Sequence, residues 1–203
     1  MRLPPHGHDH ADCALVALGC SWGGTRALGA ILGRLPENPG AALAVVQHRG
    51  AGPTDKALPL VLGRRCPIPV VEAEDKTPVE PGRVVLAPPD YHLLVDGPCF
   101  GLSTEEPVNH SRPSVDVLFE SAADSYGPRL VAILLTGANE DGAAGLRRVK
   151  ESGGMTIVQD PDEAERRAMP DAALRTGAVD EVLPLAAIAQ LLGSLVGRHD
   201  DGR

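Results

Sequence analysis

Ala14-Leu15-Val16-Ala17-Leu18-Gly19-Cys20-Ser21-Trp22-Gly23-Gly24-Thr25 passes from an apolar run through a glycine-rich turn into helical spacing. Residues 14–18 suit a strand buried on both faces of a parallel sheet. Leu28, Ile31, Leu32 and Leu35 then recur at helical spacing over 25–35, and Pro36 stops the pattern. Strand, turn and helix in that order open an α/β fold. The turn itself, Gly19-Cys20-Ser21-Trp22-Gly23, fits G-x-S-x-G, where small flanking residues permit the sharp bend that lifts a serine out of a sheet. A helix N-terminus beside that serine offers backbone N–H groups to a developing oxyanion. A glycine-rich connection of no catalytic meaning is the alternative. A dinucleotide fingerprint is disfavoured, because Ser21 stands where its middle glycine belongs and the next strand ends in Gln47-His48 rather than an acid.

Working outward, residues 43–47 form another buried strand, and 55–62 read as a helix after the turn at 50–53. Residues 69–72, 83–87, 92–95 and 99–102 are short strands broken by Pro, Gly and Asp, a spacing that predicts inserted antiparallel hairpins. A helix begins at Ser114 and runs to 123, with Ser114 as its cap and Asp116 in the first turn, where the helix dipole favours negative charge. Residues 130–135 are the strongest strand, followed by a helix over 143–151. Strands at 155–159 and 179–183 and a helix over 185–196 complete the pattern. The expected fold is α/β: a doubly wound, mostly parallel sheet with helices on both faces and a small inserted antiparallel hairpin region. One domain over 14–196 is expected, between a flexible tail at 1–13 and a C-terminal tail at 197–203.

Composition narrows the function. The 203 residues suit one domain with a sizeable core. Aromatic residues make up 2%, so Val, Leu, Ile and Ala must build that core, and Trp22, the one tryptophan, falls beside the candidate serine. A formal net charge of −8 argues against a nucleic-acid partner, which needs a basic face. Arg147, Arg148 and Lys150 read as a solvated helix face. No apolar run approaches the roughly 18 residues of a membrane span, and the N-terminus lacks a signal-peptide pattern, so a cytoplasmic chain with no membrane insertion is expected. Cys13, Cys20, Cys66 and Cys99 have no C-x-x-C spacing, and reduced, mostly buried thiols are expected. His6, His8, His10, Asp12 and Cys13 could gather round a metal, but mobile His-rich termini seldom do so.

Two further segments carry chemistry. His48 ends the strand after Ser21, 27 residues on, and carboxyl-end loops of adjacent parallel strands converge where ligands bind. A histidine there can take a proton from Ser21 and return it to a leaving alcohol. A polar loop histidine is the alternative. Leu134-Leu135-Thr136-Gly137-Ala138-Asn139-Glu140-Asp141-Gly142 also follows a buried strand. Asp141 could fix the tautomer of His48, or cap the following helix; Glu140 is its nearest competitor. Only 18 residues precede Gly19, too few for the earlier strands of a standard α/β-hydrolase, so these residues must meet on another α/β topology.

Taken together, these three segments resemble the catalytic domain of the chemotaxis protein-glutamate methylesterases (CheB type). Leu86-Ala87-Pro88-Pro89-Asp90-Tyr91-His92, Arg112-Pro113-Ser114-Val115-Asp116-Val117-Leu118-Phe119, Asp141-Gly142-Ala143-Ala144-Gly145, Gln159-Asp160 and Met169-Pro170 extend the likeness over roughly residues 14–195. The resemblance implies hydrolysis of γ-glutamyl methyl esters on the cytoplasmic helices of methylated chemoreceptors, and deamidation of certain receptor glutamines. It implies Ser21 as nucleophile, His48 as general base, Asp141 as triad acid, a substrate and oxyanion region around Trp22, Gly23, Ala138 and Met169, and no metal or organic cofactor. Three departures fall at the rim: Trp22 replaces Thr, Ala138 and Asn139 replace Met and Gly, and Arg49-Gly50 replace Met-Pro. With about 13 residues ahead of the first strand, the family's usual N-terminal receiver domain is not expected, nor is control by phosphorylation. An esterase or amidase with another substrate, and a non-catalytic module docking on receptors, are the competing functions.

Overall fold

The computed structural model describes residues 13–49 and 57–197. The His-rich stretch 1–12, the turn 50–53 and the start of the helix expected over 55–62 lie outside the described residues, as does 198–203. Seven parallel strands form one sheet: β1 (Leu15–Cys20), β2 (Ala42–Gln47), β3 (Val70–Glu72), β4 (Val84–Leu86), β7 (Leu130–Leu134), β8 (Met155–Gln159) and β9 (Glu181–Leu183). Their order is β3-β4-β2-β1-β7-β8-β9. β5 (His92–Asp96) and β6 (Cys99–Ser103) form a separate antiparallel hairpin. The hairpin region is therefore smaller than the sequence suggested. β3 and β4, three residues each, pair in parallel with each other, and β4 joins β2, which extends the main sheet.

Alternate residues of β1 face opposite sides, as the pleat requires. Val16 and Leu18 meet α1 (Gly24–Leu32), α2 (Leu58–Gly63) and α6 (Leu185–Val196) through Leu28, Ile31, Leu62, Ile188 and Leu192. Leu15 and Ala17 face a second layer built from α3 (Val115–Tyr126), α4 (Ala143–Glu151), α5 (Ala168–Arg175) and the hairpin. Both phenylalanines, Phe100 and Phe119, are buried there. α5 was not foreseen: Pro170 in its first turn obscures a helical reading but costs nothing there, since those N–H groups have no intrahelical partner.

The chain leaves β1 toward β2 over one face and leaves β7 toward β8 over the other. The neighbours β1 and β7 thus form the switch point where doubly wound sheets open a crevice at the carboxyl ends of their strands. The turn at Ser21 and the loop 135–142 both lie there. Among the described residues, no helix is long and apolar enough to cross a membrane. Cys20 is buried, whereas Cys13, Cys66 and Cys99 are half-buried; all four are free thiols. Arg147, Arg148 and Lys150 form an exposed face of α4 and pair with Glu151, Asp124 and Asp180.

Candidate active site

The two glycines of the serine turn serve different needs. A side chain at Gly19 would sit 2.2 Å from Val115 Cγ1, so this glycine lets the N-terminus of α3 approach β1. Gly23 has φ +80°, the left-handed conformation that reverses the chain into α1. Between them, Ser21 N–H donates to Thr136 O at 2.9 Å, tying the serine turn to the end of β7. Cys20 points into the core, where burial pushes its thiol well above the ordinary range and leaves it inert.

His48 is delivered by strand register. Cys20 pairs with Gln47, and His48 N–H donates to Cys20 O at 3.0 Å, so Ser21 and His48 each follow one member of a paired couple. Gln47 locks the two ends. Its Nε2 donates to Ser21 O at 2.8 Å and to His48 O at 3.0 Å, and its Oε1 accepts from Cys20 Sγ at 3.0 Å. The sequence carries no sign of this role beyond a polar residue at the end of a buried strand.

Asp141, not the exposed Glu140, meets the histidine: His48 Nε2 donates to Asp141 Oδ2 at 2.6 Å. Because a carboxylate only accepts, Nε2 carries the hydrogen and a neutral ring presents its lone pair at Nδ1. Asp141 is fully buried and does not cap its own helix, α4. Instead it sits at the start of α3, accepting from Val115 N at 2.6 Å, Asp116 N at 3.1 Å and Ser114 Oγ at 2.7 Å. Asp116 returns the arrangement, with Oδ1 accepting from Gly142 N at 2.9 Å and Gly145 N at 2.7 Å at the start of α4. The two carboxylates therefore cap each other's helices. Burial pushes Asp141 upward, but the hydrogen bond from His48, the Val115 N–H, the His48 charge and the Ser114 hydroxyl together hold it below the usual carboxylate range. Burial first, with the charges of Asp141 and Glu120, pushes Asp116 up to about 6 against the pull of the Gly145 and Gly142 N–H groups.

The remaining expected site residues divide. Trp22 is exposed rather than buried in the core; its Nε1–H donates to Glu165 Oε1 at 2.9 Å and its ring lies 5.4 Å from the Arg166 guanidinium. Ala138 is exposed at the tip of its loop. Met169 is fully buried and lies against Gly137, so it forms the wall behind the loop and not an exposed rim. Among the described residues, no hydrogen bond engages the backbone N–H of Trp22, Gly23 or Ala138. Thr136 joins the pieces: its hydroxyl donates to Trp22 O at 2.9 Å, reaches Arg166 O at 3.2 Å, and accepts from Arg166 N–H at 2.9 Å. Arg49 reaches inward to Glu72 Oε1 and Ala87 O, both at 2.6 Å. A cavity of about 450 Å³ opens beside His48, lined by Arg49, Asp90, His110, Ser111 and Arg112. Among the described residues, no cluster of three or more His, Cys, Asp or Glu side chains is placed to hold a metal ion.

Comparison with known proteins places this arrangement. The chain is 45% identical over 177 residues to a protein of Leptospira interrogans, covering 87% of this chain and 91% of that one. It is 43% identical over 185 residues to protein-glutamate methylesterase/protein-glutamine glutaminase 2 of Anaeromyxobacter dehalogenans, and spans 54% of that longer protein. The crystal structure of the Thermotoga maritima CheB methylesterase catalytic domain superposes with a TM-score of 0.86 at 36% identity, covering 90% of this chain and 98% of that one. The model of the CheB methylesterase family matches residues 16–192, all of the sheet but its first residue and every loop just described, and the chain belongs to that family.

Proposed function

We propose that this protein is a carboxylic ester hydrolase that removes methyl groups from glutamyl methyl esters on the cytoplasmic helices of chemoreceptors, and that Ser21, His48 and Asp141 carry the reaction. The supporting observation is the 2.6 Å hydrogen bond from His48 Nε2 to the buried Asp141, at the strand end next to the one bearing Ser21. Asp141 fixes the tautomer and balances the charge the ring acquires, so Nδ1 is the nitrogen that takes the proton.

The Ser21 hydroxyl then attacks the ester carbonyl carbon while its proton passes to His48. The oxyanion of the tetrahedral intermediate is met by the unengaged N–H groups of Trp22 and Ala138. Collapse expels methoxide, which takes the proton from His48 and leaves as methanol, with a glutamyl ester on Ser21. Water gives its proton to His48, attacks that ester, and restores glutamate and Ser21. With a glutamine substrate the same steps release ammonia. Nothing in the sequence needs a cofactor for this chemistry.

Intact-mass spectrometry after treatment with a fluorophosphonate tests the nucleophile. One adduct is expected on the wild-type protein and none on Ser21→Ala; an undiminished adduct on Ser21→Ala refutes the assignment.

A further inference from the structure

Close to the base lies a turn with no part in the steps above. Val108 N–H donates to Ser111 O at 3.1 Å and Ser111 N–H to Val108 O at 2.9 Å, closing a two-residue turn at Asn109 and His110. Both central residues are left-handed, with φ 49° and 61°, a conformation uncommon outside glycine in which Asn and His are among the enriched residues. Neighbours outside the turn hold it in place: Asn109 Nδ2 donates to Asp116 Oδ2 at 2.8 Å and to Asp141 Oδ1 at 3.3 Å. The turn's last residue sets Ser111 Oγ 3.3 Å from His48 Nδ1. Asn139 Nδ2 donates to that same oxygen at 3.5 Å, and Asn139 Oδ1 accepts from Asp141 N–H at 3.3 Å.

Donor counting assigns the protons. With Nε2–H given to Asp141, the neutral ring accepts at Nδ1, so the Ser111 hydroxyl donates there and receives Asn139 on its lone pair. We infer that Ser111 is a positioning residue for the hydrolysis: before substrate binds, its hydroxyl holds the ring of His48 in one plane and one tautomer, with Nδ1 beside the cavity, then turns off that lone pair so that Ser21 can deliver its proton there, and Asn139 braces it. This rests on His48 being the base, as proposed above. Among the described residues, the charged and titratable groups near the ring are Asp141 with Asp116 behind it, and Arg49, Asp90, His110 and Arg112, which line the cavity beside it. Ser111 is the neutral group on Nδ1. Asn139 stands where the family pattern has glycine, so the brace comes from a departure from that pattern.

The test uses the full chain with ¹⁵N-labelled histidine, His48→Gln assigning the ring signals, together with methanol release from a methylated receptor fragment. Wild type, Ser111→Ala, Ser111→Thr and Asn139→Gly are compared. The wild-type neutral ring is expected to be protonated at Nε2 and hydrogen-bonded at an unprotonated Nδ1. Ser111→Ala should move the Nδ1 signal toward that of an unbonded nitrogen and lower kcat roughly 2- to 10-fold with KM unchanged. Ser111→Thr, which keeps the hydroxyl, should restore both; Asn139→Gly should shift them less, in the same direction. An unchanged Nδ1 signal with unchanged kcat in Ser111→Ala overturns the inference. Fluorophosphonate labelling of Ser111 overturns it too, since Ser111 would then be a nucleophile. The ¹⁵N signal needs no turnover, so a wild type that releases no methanol yet shows the Ser111-dependent shift counts against the substrate and supports Ser111's role.

Discussion

Adjacent carboxylates at 140 and 141 have opposite fates: Glu140 faces solvent, while Asp141 accepts hydrogen bonds from His48, Ser114, Asn109 and two N–H groups of α3. Asp141→Asn should therefore favour the wrong tautomer of His48, a change that costs about 10⁴ in turnover in a serine protease. Glu140→Gln should leave kcat on p-nitrophenyl acetate within about twofold, as expected of an exposed side chain away from the reacting atoms. If the two variants exchange these behaviours, Glu140 is the acid. Trp22 lends itself to a specificity test. Glu165 and Arg166 hold its ring in place and more than half of it stays exposed, an ordered aromatic surface next to the nucleophile. Trp22→Thr should raise kcat/KM on a methylated receptor fragment and lower it on p-nitrophenyl acetate. An unchanged ratio of the two would remove Trp22 from substrate selection.

At the scale of elements, α3 and α4 are joined by the exchange of caps between Asp141 and Asp116, and this gives stability a defined pH dependence. Folding raises Asp116 from 3.8 to about 6, so between those values the folded state binds more protons than the unfolded one. Stability from this group falls as pH rises through that window. Asp141 acts oppositely. Its folded value lies below 3.8, so its contribution is present above 3.8 and is lost as pH falls through the folded value. Urea midpoints measured from pH 4 to pH 7 in wild type and Asp116→Asn should diverge across the Asp116 window; parallel curves would show that Asp116 does not titrate there. The packing of α3 on β1 is tested by Gly19→Ala. The added methyl meets Val115 at 2.2 Å, and overpacking of this kind typically costs about 1–3 kcal/mol. A urea midpoint equal to wild type would mean that α3 shifts freely.

Across the whole molecule, the sequence was most legible where one strand or helix suffices to define itself. β1, β7, β8, α4 and α6 announce themselves by apolar runs or helical spacing, and the loops that follow β1, β2 and β7 carry Ser21, His48 and Asp141 to one edge of the sheet. Three-residue strands hold no comparable record of their partners, which is why β3 and β4 read as hairpin pieces although they pair in parallel. Ser111, Gln47 and Asn109 were not legible as site residues, because their roles exist only through contacts with distant parts of the chain. Asn109 is 32 residues from Asp141, and Ser111 is 63 from His48. The account's central claim, hydrolysis of glutamyl methyl esters by Ser21, is tested most directly by methanol release from methylated chemoreceptor, with unmethylated receptor as blank. Wild-type protein should release methanol in step with loss of receptor methyl groups, and Ser21→Ala should be slower by about 10⁴-fold or more, in line with nucleophile deletions in serine hydrolases. No release by the wild type, or release by Ser21→Ala at the wild-type rate, would contradict it.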